Sequence, residues 1–109
     1  MTTIEQHSSY ATLINVFTVE PKQAPQLAEL LRKATEDVMR HVPGFISANI
    51  HVSTDGSRVV NYAQWENAEA YQAVKDNPRA LEHMQKCAAI ATFDAHLYTV
   101  DSVHGVPTR

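Results

Sequence analysis

From Tyr10 to Val19 the chain is rich in β-branched and aromatic residues, which predicts a first strand ended by Pro21. After Ala24 the apolar positions change period. Leu27, Leu30, Leu31, Ala34, Val38 and Val42 recur at helical spacing, with Arg32, Lys33, Glu36, Asp37 and Arg40 on the wet side. Pro43-Gly44 stops that helix. From Phe45 to Ser53 the residues alternate, Ile46, Ala48, Ile50 and Val52 against Phe45, Ser47, Asn49 and His51, which predicts a second strand. Thr54-Asp55-Gly56-Ser57 signals a hairpin. It leads into a third strand from Arg58, with Val59, Asn61, Ala63 and Trp65 on one face and Val60, Tyr62 and Gln64 on the other. Asn67 is placed to cap a short helix that turns Ala68, Tyr71 and Val74 to the core. Asn77-Pro78 restarts a helix with Leu81, Met84, Ala88 and Ala91 as its apolar stripe. Phe93 to Val103 is the predicted fourth strand.

The order β-α-β-β-α-β, with short connections and right-handed crossovers, predicts an α+β ferredoxin-like sandwich: one antiparallel sheet with helices on one face. Residues 1–109 form a single domain, 1–9 a flexible arm and 104–109 a tail. Strands one to three carry apolar or aromatic residues on both faces, whereas helices cover only one. A second copy of the chain, sheet against sheet in a two-fold homodimer, is the simplest cover for the other. Asn61 and Trp65 are expected to face the helices, and Val60, Tyr62 and Gln64 the partner.

Composition removes several classes. With nine Lys and Arg against twelve Asp and Glu the charge is −3, with no basic run to bind nucleic acid or an acidic membrane. No apolar run reaches a membrane span, and the N-terminus lacks a signal-peptide core, so the expected location is cytoplasmic. Cys87, the single cysteine, falls in a helical pattern as a small core residue. The six histidines, His7, His41, His51, His83, His96 and His104, form no pair with metal-ligand spacing, so no metal site is expected. Three glycines leave no phosphate-binding loop.

The candidate chemistry lies in Arg58–Tyr71. Asn61 and Trp65 point the same way two pleats apart, and a helix folding back over that face brings the Tyr71 phenol near the amide and indole. Three polar-tipped groups around an apolar hollow suit a small-molecule pocket. Spacing alone also fits Trp65 and Tyr71 as plain core. Asn61 on the inward face of a central strand needs partners, and Asn15 in strand one poses the same demand.

Pro43-Gly44-Phe45, Ser53-Thr54-Asp55-Gly56, Asn61-Tyr62-Ala63-Gln64-Trp65-Glu66 and Ala70-Tyr71 together resemble the antibiotic biosynthesis monooxygenase family, and within it the cofactor-free enzymes of aromatic polyketide pathways. The likeness is sharpest from Pro43 to Tyr71. It implies a dimeric α/β barrel of ferredoxin-like subunits. It also implies oxidation of a phenolic polycyclic aromatic to a quinone by molecular oxygen, without metal, flavin or haem. Asn61, Trp65 and Tyr71 match the family's active-site residues by motif position. An arginine of the last helix has no clear match here: Arg79 sits at the helix start, and His83 and Lys86 are the other candidates for substrate contact, alongside Asn15.

Two other functions compete. A haem-degrading monooxygenase of the same superfamily is matched by Asn15 and His83, but its tryptophan near the end of the middle helix is absent, with Val74 close to that position. Dimeric ferredoxin-like barrels also serve as non-enzymatic ligand-binding modules, and fold alone does not separate these.

Overall fold

In a computed structural model that describes residues 1–6 and 8–107, four strands form one antiparallel sheet in the order β2-β3-β1-β4. The strands are β1 (Ala11–Val19), β2 (Phe45–Val52), β3 (Arg58–Trp65) and β4 (Ala91–Tyr98). Helices α1 (Ala24–Asp37), α2 (Ala68–Ala73) and α3 (Pro78–Ala88) complete the ferredoxin-like α+β fold. His7, Thr108 and Arg109 lie outside the described residues. No helix among those described is long and apolar enough to cross a membrane.

The turns are built by short polar side chains. Asp55 Oδ1 accepts from the Ser57 amide at 2.9 Å and from the Ser53 and Ser57 hydroxyls at 2.8 and 2.7 Å, closing the β2–β3 hairpin. These three donors hold the Asp55 carboxyl at a pKa of about 2. Asn67 caps α2 by accepting from Ala70 N at 2.8 Å, and Asn77 caps α3 from Arg79 N and Ala80 N, with Pro78 in the first turn. Gly44 adopts φ +88°, and an added Cβ would meet Ala70 Cβ at 2.5 Å, so the approach of α2 to the β2 entrance requires glycine.

Register assigns the faces. β1 opposes β3 with Leu13↔Ala63, Asn15↔Asn61 and Phe17↔Val59, and all six side chains lie on the helix-covered side. The helices bury two apolar clusters there. One gathers Phe17, Val19, Leu27, Leu31, Val59 and Cys87; the other gathers Leu13, Val38, Ala63, Trp65, Val74 and Ala80. Cys87 is fully buried, and burial raises its thiol pKa, so it behaves as an apolar core residue.

Five expectations are corrected. Helical spacing extends the first helix to Val42, but α1 ends at Asp37; Val38 leaves helical geometry and Met39–His41 form a 3₁₀ turn. Val38, Met39 and Val42 all pack against the same cluster across this turn. In β2, a register shift between Phe45 and Ser47 places Phe45, opposite Trp65, on the helix side with Ala48 and Ile50. One extra residue in the strand accounts for the flip. Ala91 opens β4 instead of closing the α3 stripe, Ala88 is exposed, and the strand stops at Tyr98 instead of Val103. β4 can extend only while β1 offers a partner, and Tyr98 pairs with Thr12, the second residue of β1. Ala68 is exposed, and Ala70 turns inward in its place.

On the uncovered face, Ile14, Val16, Val60 and Tyr62 are half-buried. Gln64 is 1% exposed because the N-terminal arm crosses it: its amide donates to Thr3 O at 2.6 Å and accepts from Thr3 N at 3.3 Å. Thr2 donates to Ser47 at 2.8 Å and accepts from the Asn49 amide.

Candidate active site

Along the helix-facing side of β1 the residues read Ala11, Leu13, Asn15, Phe17, Val19, and along β3 Trp65, Ala63, Asn61, Val59. Every position but Asn15 and Asn61 is apolar or aromatic, and those two oppose each other directly. The paired amides sit where the two apolar clusters meet, on the floor of a cavity of about 240 Å³. Trp65 and Phe45 close one end, Met39 and Ala34 come from α1 and the turn after it, and Ala80, Leu81 and Met84 from α3.

The Trp65 indole is fixed between two rings. Phe45 meets it edge-on, with centroids 5.4 Å apart and planes at 87°, and Tyr71 packs tilted at 6.1 Å and 57°. Trp65 is only 3% exposed, yet its Nε1 has no hydrogen-bond partner among the described residues; the same holds for Asn15 Oδ1 and Asn61 Oδ1. Buried donors and acceptors left unpaired cost about 1–3 kcal/mol each, and native proteins hold few of them. All three residues line one cavity; an amide oxygen can accept from a phenolic O–H, and an indole N–H can donate to a phenolate, carbonyl or peroxide oxygen. Thr35 also lines the cavity, but its hydroxyl is spent on Leu31 O at 2.9 Å.

Tyr71 is half-buried, and the loss of solvation pushes its phenol pKa up, so the group is neutral at physiological pH and available as an O–H donor. Lys75 Nζ stands 5.9 Å from the centre of the Tyr71 ring at the cavity mouth. The lining includes no carboxylate and no histidine. Among the described residues no cluster of three His, Cys, Asp or Glu side chains is placed to hold a metal ion.

The structure thus brings together Asn15, Asn61, Trp65 and Tyr71. It leaves His83 and Lys86 out of the lining. At about 100° per residue, a helix that turns Ala80, Leu81 and Met84 to the cavity carries His83 to its flank and Lys86 to the opposite side. Two contributors escaped the sequence reading. Phe45 was hidden by the register shift, which alternation cannot register. Lys75 follows Tyr71 by four residues, the spacing that puts two helical side chains on one face, and that signal was present in the sequence.

The sequence and the fold are similar to those of known proteins. The sequence pattern of the family described as "Antibiotic biosynthesis monooxygenase" matches residues 11–88. The chain is 42% identical over 91 residues to the tetracenomycin-F1 monooxygenase of Streptomyces glaucescens, covering 84% of this chain and 81% of that protein. Its fold is similar to the crystal structure of the ActVA-Orf6 monooxygenase of Streptomyces coelicolor in complex with nanaomycin D. The TM-score is 0.78 at 33% identity, over 90% of this chain and 92% of that one. SnoaB of Streptomyces nogalater, a cofactor-independent oxygenase, shares the fold with a TM-score of 0.74 at 23% identity, over 93% of this chain and all of that one.

Proposed function

The chain belongs to the antibiotic biosynthesis monooxygenase family, and we propose that it oxidises a phenolic polycyclic aromatic of polyketide type to a quinone with molecular oxygen and no cofactor. The observation that carries this reading is the trio of unpaired buried polar atoms, on Asn15, Asn61 and Trp65, residues that line one largely apolar cavity. A relative named as a tetracenomycin-F1 monooxygenase and a monooxygenase structure in complex with nanaomycin D support this reading.

The chemistry runs on the substrate's own electrons. A phenol with an open ring position loses its proton; the anion gives one electron to oxygen, and the two radicals recombine to a hydroperoxide on the ring carbon. The ring hydrogen leaves as a proton and the outer peroxide oxygen as hydroxide, together one water, which leaves the quinone. One oxygen atom enters the ring and the other leaves as water, so the phenol and oxygen balance quinone and water. The protein's part is to bind, orient and exclude bulk water. Asn15 and Asn61 accept from and align the phenol. The Trp65 N–H stabilises the anionic oxygen, an interaction strengthened by the apolar surroundings. Tyr71, neutral and shared between the cavity and the groove outside it, relays the departing proton to solvent. A haem reading needs an axial histidine, and none lines the cavity.

The proposal extends to a homodimer through the uncovered sheet face at Ile14, Val16, Val60 and Tyr62, beside the stretch held by the arm. Light scattering at micromolar concentration reads a dimer; a monomer contradicts it. For the activity, oxygen uptake is measured across a set of hydroxynaphthalenes and hydroxyanthracenes. Uptake with at least one and conversion to its quinone supports the proposal, and none across the set refutes it.

A further inference from the structure

The cavity continues outward. A second hollow runs along the edge strand β4 and shares Tyr71, Lys75 and Phe93 with the first. The inner cavity of about 240 Å³ falls below the range of roughly 300–1,000 Å³ of sites that enclose drug-sized ligands, so a polycyclic substrate with its reacting ring between Asn61 and Trp65 extends past Tyr71 into this groove. The cation at that junction is Lys75. Its ammonium forms no ion pair among the described residues. The carboxylate bordering the groove, Asp94, is taken by His96 Nε2 at 2.7 Å. Lys75 lies over the Tyr71 ring, at the distance a cation–π contact permits, and lines both hollows.

We infer that Lys75 is a specificity-determining residue that takes a carboxylate on the distal ring of an elongated aromatic substrate. This deepens the reading above and rests on the same cavity. A carboxylate is favoured over a distal phenol because it is fully ionised at neutral pH, where an ordinary phenol is not. Asn15, Asn61 and Trp65 are unpaired but uncharged and orient the reacting ring, so discrimination by charge falls to Lys75.

Trp65 is the single tryptophan of the chain and lines the cavity, so its fluorescence reports occupancy without turnover. An anthracene carboxylate and its neutral primary amide are titrated against the wild type, Lys75→Met, which keeps the apolar stem, and Lys75→Arg. The wild type should bind the carboxylate roughly fivefold more tightly than the amide, the scale of a solvent-exposed ion pair. The preference should shrink with added salt, vanish in Lys75→Met and persist in Lys75→Arg. Equal binding of the two ligands by the wild type, a preference that survives Lys75→Met, or no quenching by either ligand overturns the inference. Charge-dependent binding together with no oxygen uptake on any of the hydroxynaphthalenes and hydroxyanthracenes upholds the subsite and refutes the oxidation.

Discussion

Replacing Trp65 by phenylalanine separates a catalytic indole from a packing one, because the two roles move stability and turnover differently. The residue is 3% exposed and edge-packed on Phe45, so losing part of the ring system costs about 1–2 kcal/mol of burial and contact. The same change deletes a buried N–H with no partner, which returns about 1–3 kcal/mol. The two nearly cancel, and the folded protein should keep its melting temperature to within a few degrees. Turnover should not survive in the same way. An N–H aimed at a developing oxyanion contributes about 3 kcal/mol, so kcat should fall roughly a hundredfold. Thermal denaturation and oxygen-electrode kinetics on one preparation read both quantities. A variant that loses several kcal/mol of stability while keeping full turnover would refute the reasoning and make Trp65 a core residue.

Asn61→Ala should lower turnover by about one to two orders of magnitude with the fold intact, as read by steady-state kinetics and circular dichroism; full activity would remove the amide from the mechanism. Gly44→Ala forces a side chain into φ +88° and against Ala70, so a loss of about 1–3 kcal/mol is expected in denaturant melts, with reduced activity because α2 carries Tyr71. Asp55 has its pKa lowered from 3.8 to about 2 by its hairpin donors, so its contribution is complete above pH 4 and lost as pH falls toward 2. Asp55→Asn should melt below the wild type at neutral pH and show a shallower decline across that acid window; parallel curves would contradict the assignment.

Much of this was legible from periodicity. The helix-facing set on β3 follows from strict alternation, and the Asn67 cap follows from residue type and place. Asn61 and Asn15 stood out because an amide on an inward strand face is costly without a partner, although only the register reveals that they oppose each other. Alternation failed at Phe45, since an added residue reverses every later side chain and leaves no mark in composition. Helical periodicity overran at Val38, which leaves helical geometry and passes into a 3₁₀ turn while its apolar spacing continues. The extent of β4 was set by its partner, a quantity that a strand's own sequence does not carry.

The central claim is that the chain's own residues, with oxygen and a phenolic polycycle, suffice for a monooxygenation. Isotopically labelled dioxygen supplied to chelator-treated protein with a hydroxyanthracene tests it most directly. Mass spectrometry should find one labelled atom in each quinone and the other in water, at a rate that chelation leaves unchanged and that Trp65→Phe lowers about a hundredfold. A quinone without label, or activity that chelation abolishes and a metal ion restores, would contradict the account.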